Sequence, residues 1–334
     1  MIPNVAVVGA TGAVGELMRQ VLAERSFPIQ SIKFLASARS AGKPITFRGK
    51  DYKVEQIRPE AFVGVNLVLS STPGSVSREF SPVAAKAGAI VVDNSSAWRM
   101  DPEVPLVVPE VNSHALKMIA KGIVANPNCV AIPLCVALKP LHNFARIMRV
   151  VLATYQSSSG KGAKGLRDFE AQLTAFAKGG PVPVATAHRG QLAGNVITLD
   201  WTLEPNGYTE EENKVINETR KILDEPNLSV TVTCVRVPVR VSHCEAVNIE
   251  FERPISVVQA REALGRAPGV VLMDETRGQV PQPIDAEGRD EVFVGRVRRD
   301  PSVTNGLNLW LVADNLRKGA ASNAVQIAEV LFKT

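Results

Sequence analysis

The sequence predicts an α/β protein of two domains. The first is an N-terminal doubly wound, Rossmann-type domain over residues 1–128, completed by a C-terminal helix over 315–334; the second is an α+β domain over 129–314. Three observations carry this. The chain has 334 residues, and at about 150 residues per domain that suggests two. Up to about residue 129, short unbroken apolar runs alternate with helical patterns, as in a parallel sheet covered on both faces. Beyond it the strands lengthen and alternate in polarity, as in a mostly antiparallel sheet with helices packed on it.

Taken in order, Asn4-Val-Ala-Val-Val reads as the first strand, and Glu16 to Glu24 as a helix that stops before Pro28. Ile32 to Ala36, Val65 to Ser70, Ala89 to Asp93 and Ile123 to Ala125 are further short strands bounded by turn residues. In the second half, Val230 to Val237 and Ala246 to Phe251 alternate as strands, while Glu211 to Leu223 and Val257 to Leu264 carry helical spacing. The last helix, about Ala320 to Phe332, has an apolar face at Val325, Ala328 and Leu331, expected to pack back on the first domain.

Composition narrows the function. Lys plus Arg is 38 and Asp plus Glu is 33, a net charge of +5. The densest basic cluster, Arg296, Arg298 and Arg299, is too small for a nucleic-acid footprint and suits small anionic ligands at least as well. No apolar run reaches the roughly 18 residues of a membrane span. Met1 leads into a strand without the basic flank of a signal peptide, so a cytoplasmic protein is expected. Cys129, Cys135, Cys234 and Cys244 form no CxxC pair, which argues against a structural metal site, and a reducing compartment argues against disulfides.

The strongest local signal is Gly9-Ala-Thr-Gly12-Ala-Val-Gly15, between the first strand and the first helix. Glycines there permit a tight turn and bring backbone N–H groups close to a pyrophosphate at a helix N-terminus. Gly9, Thr11, Gly12, Ala13 and Val14 are therefore the expected dinucleotide contacts. An NAD enzyme usually offers Asp or Glu to the ribose about 20 residues further on. Here Ala36-Ser-Ala-Arg39-Ser40 has no carboxylate until Asp51; Arg39 can pair with a 2′-phosphate and Ser40 can hydrogen-bond to it, so NADP is expected.

Cys129 follows Asn126-Pro-Asn and precedes a helical pattern. A thiol at a helix N-terminus lies in the positive end of the helix dipole, which favours the nucleophilic thiolate. Asn128 beside it could contact an oxyanion or a phosphate. Cys135 and Cys234 fall in apolar patterns and read as core; Cys244 is undecided. The thiol needs a proton partner, and spacing alone does not choose among His114, His142, His188 and His243. An isolated histidine is by default a surface or capping residue.

Together these segments resemble the aspartate-β-semialdehyde dehydrogenase family over essentially the whole chain. The resemblance is carried by Val7 to Gly15, Ala36 to Gly42, Val92-Asp-Asn-Ser-Ser-Ala-Trp-Arg99, Val107-Val-Pro-Glu-Val-Asn112, Asn126-Pro-Asn-Cys129, Thr154-Tyr-Gln156, Cys234-Val-Arg-Val-Pro238, Phe293 to Arg298 and Asp314 to Ala321. It implies NADPH-dependent reductive dephosphorylation of L-aspartyl-4-phosphate to L-aspartate 4-semialdehyde, toward lysine by way of diaminopimelate, threonine, methionine and isoleucine. It assigns Cys129 as the nucleophile that forms a thioester, His243 as the acid/base, and Gln156 as the residue orienting substrate. Arg236 matches the family's carboxylate clamp, Arg99 and Lys214 its phosphate ligands, and Glu211 the acid near the substrate amine. Without the resemblance, Glu211 and Lys214 would read as an i,i+3 surface pair and Arg236 as a solvent-facing strand residue. Ser159 and Gly160 match a second cofactor-contacting loop, and Asn315 a residue near the nicotinamide. The family's second domain is catalytic and dimerising, which implies a homodimer or a dimer-based tetramer.

Three segments depart from the family pattern: Ser71-Thr-Pro-Gly74, Asn195 to Trp201, where a proline is missing, and Ser157-Ser-Ser159. N-acetyl-γ-glutamyl-phosphate reductase is the rival of the same architecture. Its cysteine lies in a His-Pro-Gly-Cys setting that Asn126-Pro-Asn-Cys129 does not match. A non-catalytic nucleotide-binding paralogue would be expected to lose the thiol, the histidine or an arginine.

Overall fold

The computed structural model describes residues 2–333. It divides into two compact units, Met1–Pro127 with Ala320–Thr334, and Asn128–Gly319.

The strands of the first unit are β1 (Asn4–Val8), β2 (Ser31–Ala36), β3 (Pro44–Phe47), β4 (Lys50–Lys53), β5 (Glu55–Gln56), β6 (Leu67–Ser70), β7 (Ile90–Asp93) and β8 (Ile123–Ala125). Six of them form one parallel sheet in the order β5-β2-β1-β6-β7-β8, and β3 and β4 pair as a hairpin. The chain winds outward from β1 in both directions, so the order reverses there, where doubly wound folds bind their ligands. Helices α1 (Ala13–Glu24), α2 (Gly74–Lys86) and α3 (Pro109–Asn112) follow β1, β6 and β7. Val5, Val7, Met18, Leu22, Phe34, Leu67 and Val92 make one core with Ala324, Val325, Ile327 and Ala328 of the C-terminal helix α9 (Ser322–Phe332). That helix starts two residues later than expected because Arg317–Ala321 forms a π-helical turn.

The second unit contains β9 (Ile147–Gln156), β10 (Ser229–Arg236), β11 (His243–Phe251), β12 (Val270–Leu272), β13 (Val292–Asp300) and β14 (Gly306–Ala313) in one sheet ordered β10-β9-β11-β14-β13-β12. Its helices are α4 (Ala131–Phe144), α5 (Gly162–Ala177), α6 (Glu210–Leu223), α7 (Val257–Gly265) and α8 (Pro283–Ala286). The central pairings are antiparallel, but β10 runs parallel to β9 and β12 parallel to β13. The sheet is therefore mixed. The long connection through α5 and α6 returns the chain in the direction of β9, as a parallel pairing requires.

Two details correct the expected boundaries. Asn128 belongs to the second unit, where its N–H donates to Glu218 Oε2 (2.6 Å) and its Nδ2 to Glu211 Oε1 (3.0 Å). Residues 315–319 also stay with the second unit, where Asn315 accepts from three donors near the start of β11.

Strand β11 carries a buried acid. Glu245 is 1% exposed, and neither carboxyl oxygen has a hydrogen-bond partner among the described residues. Burial pushes its carboxyl well above the ordinary 4.5, which favours the protonated form. The unfolded chain releases that proton above about pH 4.5 while the native state holds it, which costs the native state up to about 1.4 kcal/mol per pH unit. Glu245→Gln is expected to raise the urea midpoint relative to the parent, by more at pH 6 than at pH 5. A difference that stays flat between the two would contradict this account.

Candidate active site

In the first unit, the turn after β1 is built by its glycines. Gly9 has φ +79°, and a β-carbon there would lie 2.5 Å from the Ser71 carbonyl oxygen. One on Gly15 would lie 2.2 Å from the Gly9 carbonyl oxygen, so the helix packs against the strand end only with glycine. This is why α1 begins at Ala13, three residues before the apolar periodicity starts. Gly12 caps α1 without any side-chain acceptor, and Thr11 and Gly12 are exposed while Ala13 and Val14 are half-buried. An uncapped helix start at the end of a central parallel strand fits a pyrophosphate. Arg39 is exposed in a short turn after β2; Ser40 in the same turn is buried, and Thr11 Oγ1 reaches its hydroxyl at 3.5 Å. Arg99 is 8% exposed, with Nε donating to the Asn126 carbonyl and Nη2 to the Asn94 carbonyl, both at 3.0 Å.

In the second unit, the remaining candidates gather at one end of the sheet. Gln156 ends β9, Arg236 ends β10 directly opposite it, and the antiparallel β11 begins there with His243. Cys129 is partly exposed in the turn leading into α4. Asn128 shapes that turn: its Oδ1 accepts from the Val130 N–H at 2.8 Å and its carbonyl from the Ile132 N–H at 3.0 Å. A β-carbon on Gly319 would lie 3.0 Å from the Cys129 β-carbon, so a glycine is needed beside the thiol. The Asn128 side chain is thus engaged in holding the nucleophile's turn.

Helix α6 supplies the acids. Thr209 and Glu212 form a capping box that starts the helix, and Glu212 also accepts from the Cys234 N–H at 2.8 Å, pinning α6 to β10. Glu211, 7% exposed, then faces inward and accepts from both Asn128 Nδ2 and Gln156 Nε2 (3.1 Å). Lys214 lies 3.9 Å from Glu211 and 3.5 Å from Glu210, on the same helix face. Cys135 and Cys234 are fully buried, and burial pushes both thiols far up. Cys244 is buried as well, its thiol pushed up to about 12 by burial and then by Glu245.

His243 is 1% exposed. Burial, and then the nearby Arg236 cation, lower its pKa to about 3, so the imidazole is neutral. Its Nδ1 accepts from the Ser157 N–H at 3.1 Å, which assigns the proton to Nε2, and Nε2 has no partner among the described residues. Ser242 just before it adopts φ +75°, a conformation worth about 1–3 kcal/mol of strain in a residue with a side chain. Asn315 holds this corner, its Oδ1 accepting from Ser242 N–H (3.0 Å), Ser157 Oγ (3.1 Å) and Ser159 Oγ (3.0 Å). Gly160 lies over the ring: a β-carbon there would be 3.4 Å from His243 Nε2 and 3.0 Å from Arg236 Nη1.

Arg236 is 1% exposed, contrary to the solvent-facing default for its strand position. Its Nε donates to Asp200 Oδ2 (2.9 Å), its Nη1 to the Ser157 carbonyl, and its guanidinium stacks on Trp201 at 4.6 Å. Nη2 makes no hydrogen bond among the described residues, which leaves one donor edge for a ligand. No cluster of three or more His, Cys, Asp or Glu side chains is placed to hold a metal, and no helix is long and apolar enough to cross a membrane, among the described residues.

Two family profiles match this chain: the semialdehyde dehydrogenase NAD binding domain over residues 4–119 and the semialdehyde dehydrogenase dimerisation domain over 138–318. The aspartate-semialdehyde dehydrogenase of Aquifex aeolicus is 51% identical over 333 residues, covering 99% of this chain and 98% of that protein. The chain belongs to the aspartate-semialdehyde dehydrogenase family. Crystal structures of aspartate semialdehyde dehydrogenase II from Vibrio cholerae, one of them complexed with ASA, superpose with a TM-score of 0.96 at 44% identity, over 100% of this chain and 99% of theirs. A structure from Candida albicans with NADP gives a TM-score of 0.78 at 25% identity, over 99% of each chain. As an aspartate-semialdehyde dehydrogenase family member, this enzyme has a Rossmann-type NAD(P)-binding domain followed by a domain of the dimerisation type.

For this family member, sequence reasoning overlooked Asp200 and Trp201, which bracket Arg236, and Gly319, which lies against Cys129. Asp200 lies in the segment that departs from the family pattern. No local periodicity marks it, because its partner is 36 positions away. His188, by default a surface or capping residue, is instead 5% exposed, in a buried network.

Proposed function

We propose that this enzyme catalyses the NADPH-dependent reductive dephosphorylation of L-aspartyl-4-phosphate to L-aspartate 4-semialdehyde and phosphate. The observation that carries the reading is the convergence at one sheet end of Gln156, Arg236 and His243, joined to the Cys129 turn through Glu211. Cys129 Sγ attacks the acyl carbon, the phosphate departs with the bonding electrons, and a thioester forms. When bound, NADPH would supply the hydride to the thioester carbon; the C–S bond then breaks, which releases the aldehyde and returns the Cys129 thiolate. His243 is the acid/base group of this reading; in the neutral form its Nε2–H hydrogen-bonds to the acyl oxygen and stabilises the negative charge that develops there. Arg236 grips the α-carboxylate through its remaining donor edge, Glu211 receives the ammonium, Gln156 orients the acyl group, and Lys214 and Arg99 bind phosphate. Asn128 shapes the nucleophile's turn, and Asn315, Ser159 and Gly160 shape the loop over His243.

For the cofactor, Gly9, Thr11, Gly12, Ala13 and Val14 would hold the pyrophosphate, with Arg39 and Ser40 on a 2′-phosphate. Arg39→Asp is expected to lower the NADP-to-NAD ratio of kcat/KM by roughly 10- to 100-fold, the worth of a charge-assisted pair. An unchanged ratio would remove the basis for NADP preference. The reading further places the enzyme in the cytoplasm, as a homodimer or a dimer-based tetramer, in biosynthesis of lysine through diaminopimelate, threonine, methionine and isoleucine. The decisive experiment is the phosphate-dependent reverse assay, comparing aspartate semialdehyde with N-acetylglutamate semialdehyde and NADP with NAD. Turnover of the acetylated substrate alone would overturn the assignment.

A further inference from the structure

Behind Arg236 lies a second layer of buried polar groups. Ser158 and Asp200 are 0% and 1% exposed and His188 is 5% exposed, although His188 sits in a long irregular connection where solvation is the default. His188 Nε2 meets Ser158 Oγ at 2.7 Å, and His188 Nδ1 meets Asp200 Oδ2 at 3.0 Å. Asp200 Oδ2 also accepts from Arg236 Nε (2.9 Å), and Asp200 Oδ1 from the Arg189 N–H (2.9 Å). The order Ser-His-Asp is that of a hydrolytic triad, but the chemistry is not. Ser158 is closed to solvent and its hydroxyl donates to the Gly165 carbonyl at 2.7 Å. A β-carbon on Gly165 would lie 2.6 Å from the Ser158 carbonyl oxygen, so nothing larger than glycine lets α5 close over this pair.

The network ends on Arg236, and the segment that bears Asp200 holds the arginine in three ways. Ile197 and Arg236 exchange backbone hydrogen bonds (2.9 and 2.8 Å), Asp200 fixes Nε, and Trp201 covers the guanidinium face. A second cation competes for the same carboxylate, since Lys161 Nζ is 3.8 Å from Asp200 Oδ2. His188 and the Arg189 N–H hold Asp200 in the rotamer that serves Arg236. Against the effect of burial, hydrogen bonds from His188, Arg189 and Arg236 keep the Asp200 carboxyl below its usual range, so it is a permanent anion.

We propose that Ser158, His188 and Asp200 are positioning residues that preset the Arg236 guanidinium for the substrate α-carboxylate. A long side chain held in one orientation before substrate arrives does not have to be ordered on binding. The inference rests on Arg236 being the carboxylate clamp. Its effect therefore falls on amino-acid substrate affinity rather than on the chemical step or on the cofactor.

The test uses the intact enzyme in the reverse assay with Ser158→Ala, His188→Asn, Asp200→Asn and Arg236→Lys. Ser158→Ala and His188→Asn are expected to raise the KM for aspartate semialdehyde about 5- to 20-fold, the size of one lost orienting hydrogen bond. The KM for NADP and kcat should stay nearly constant. Asp200→Asn should raise it further, and His188→Asn added to Arg236→Lys should raise it no more than Arg236→Lys alone, as expected of groups acting through one side chain. If Arg236→Lys leaves that KM unchanged, the clamp reading itself is wrong. If Arg236→Lys raises it while Ser158→Ala and His188→Asn do not, the clamp stands and the positioning layer is refuted. A uniform fall in kcat with a lowered melting temperature and no KM split would also refute it, leaving these residues a purely structural role.

Discussion

Cys129→Ser is expected to fold, to bind NADPH as the parent does, and to lose turnover by about 10⁴-fold or more, the scale on which removing a covalent nucleophile acts. The reason is local. Cys129 is partly exposed at the start of α4, in a turn shaped by Asn128, where the positive end of a helix favours the anionic form of a thiol. The other three thiols are buried, and burial raises each of them. Alkylation by iodoacetamide at neutral pH should accordingly mark Cys129 first and track loss of activity one for one. Mass spectrometry of the parent mixed with acyl phosphate should show an adduct on the peptide holding Cys129, and none in the variant. Near-parental turnover by the serine variant would end the thioester mechanism.

His243→Asn is the second large effect, a loss of about 10²–10⁴ in kcat, the usual contribution of a positioned acid or base. The KM for aspartate semialdehyde should change little, because the carboxylate grip belongs to Arg236. The same substitution has a stability signature. In the folded chain the His243 pKa is lowered to about 3, against the 6.5 of a solvated imidazole. As pH falls from 6.5 toward 3, the unfolded chain takes up a proton that the native state refuses. The parent then loses stability at up to about 1.4 kcal/mol per pH unit from this residue. Asparagine removes that slope, so the variant should gain on the parent in urea midpoint between pH 7 and pH 4.5. An equal acid dependence in both proteins would show that His243 is not held neutral.

Most of the fold was legible in the sequence because its signals are local. Short apolar runs marked β1, β2, β6, β7 and β8 within about two residues, and the glycine turn before α1 was visible from spacing. Gly9 and Gly15 are required by clashes with backbone a few positions away or against the next strand's end. The second sheet was harder. Its strands could be found, but not that β10 lies parallel to β9, since pairing depends on the path of the connection between them.

The candidate site divides along the same line. By itself the sequence determined the nucleotide turn, the carboxylate-free end of β2 and a cysteine before a helix, because each is a pattern within a dozen residues. Only the tertiary structure decided that Arg236 is buried on Trp201 and Asp200, that His243 is neutral with its proton on Nε2, and that His188 lies in a closed network. Burial and charge pairing arise from residues tens to more than a hundred positions apart, and the free energy of a cation or an imidazole depends on that surrounding medium rather than on its neighbours in the chain.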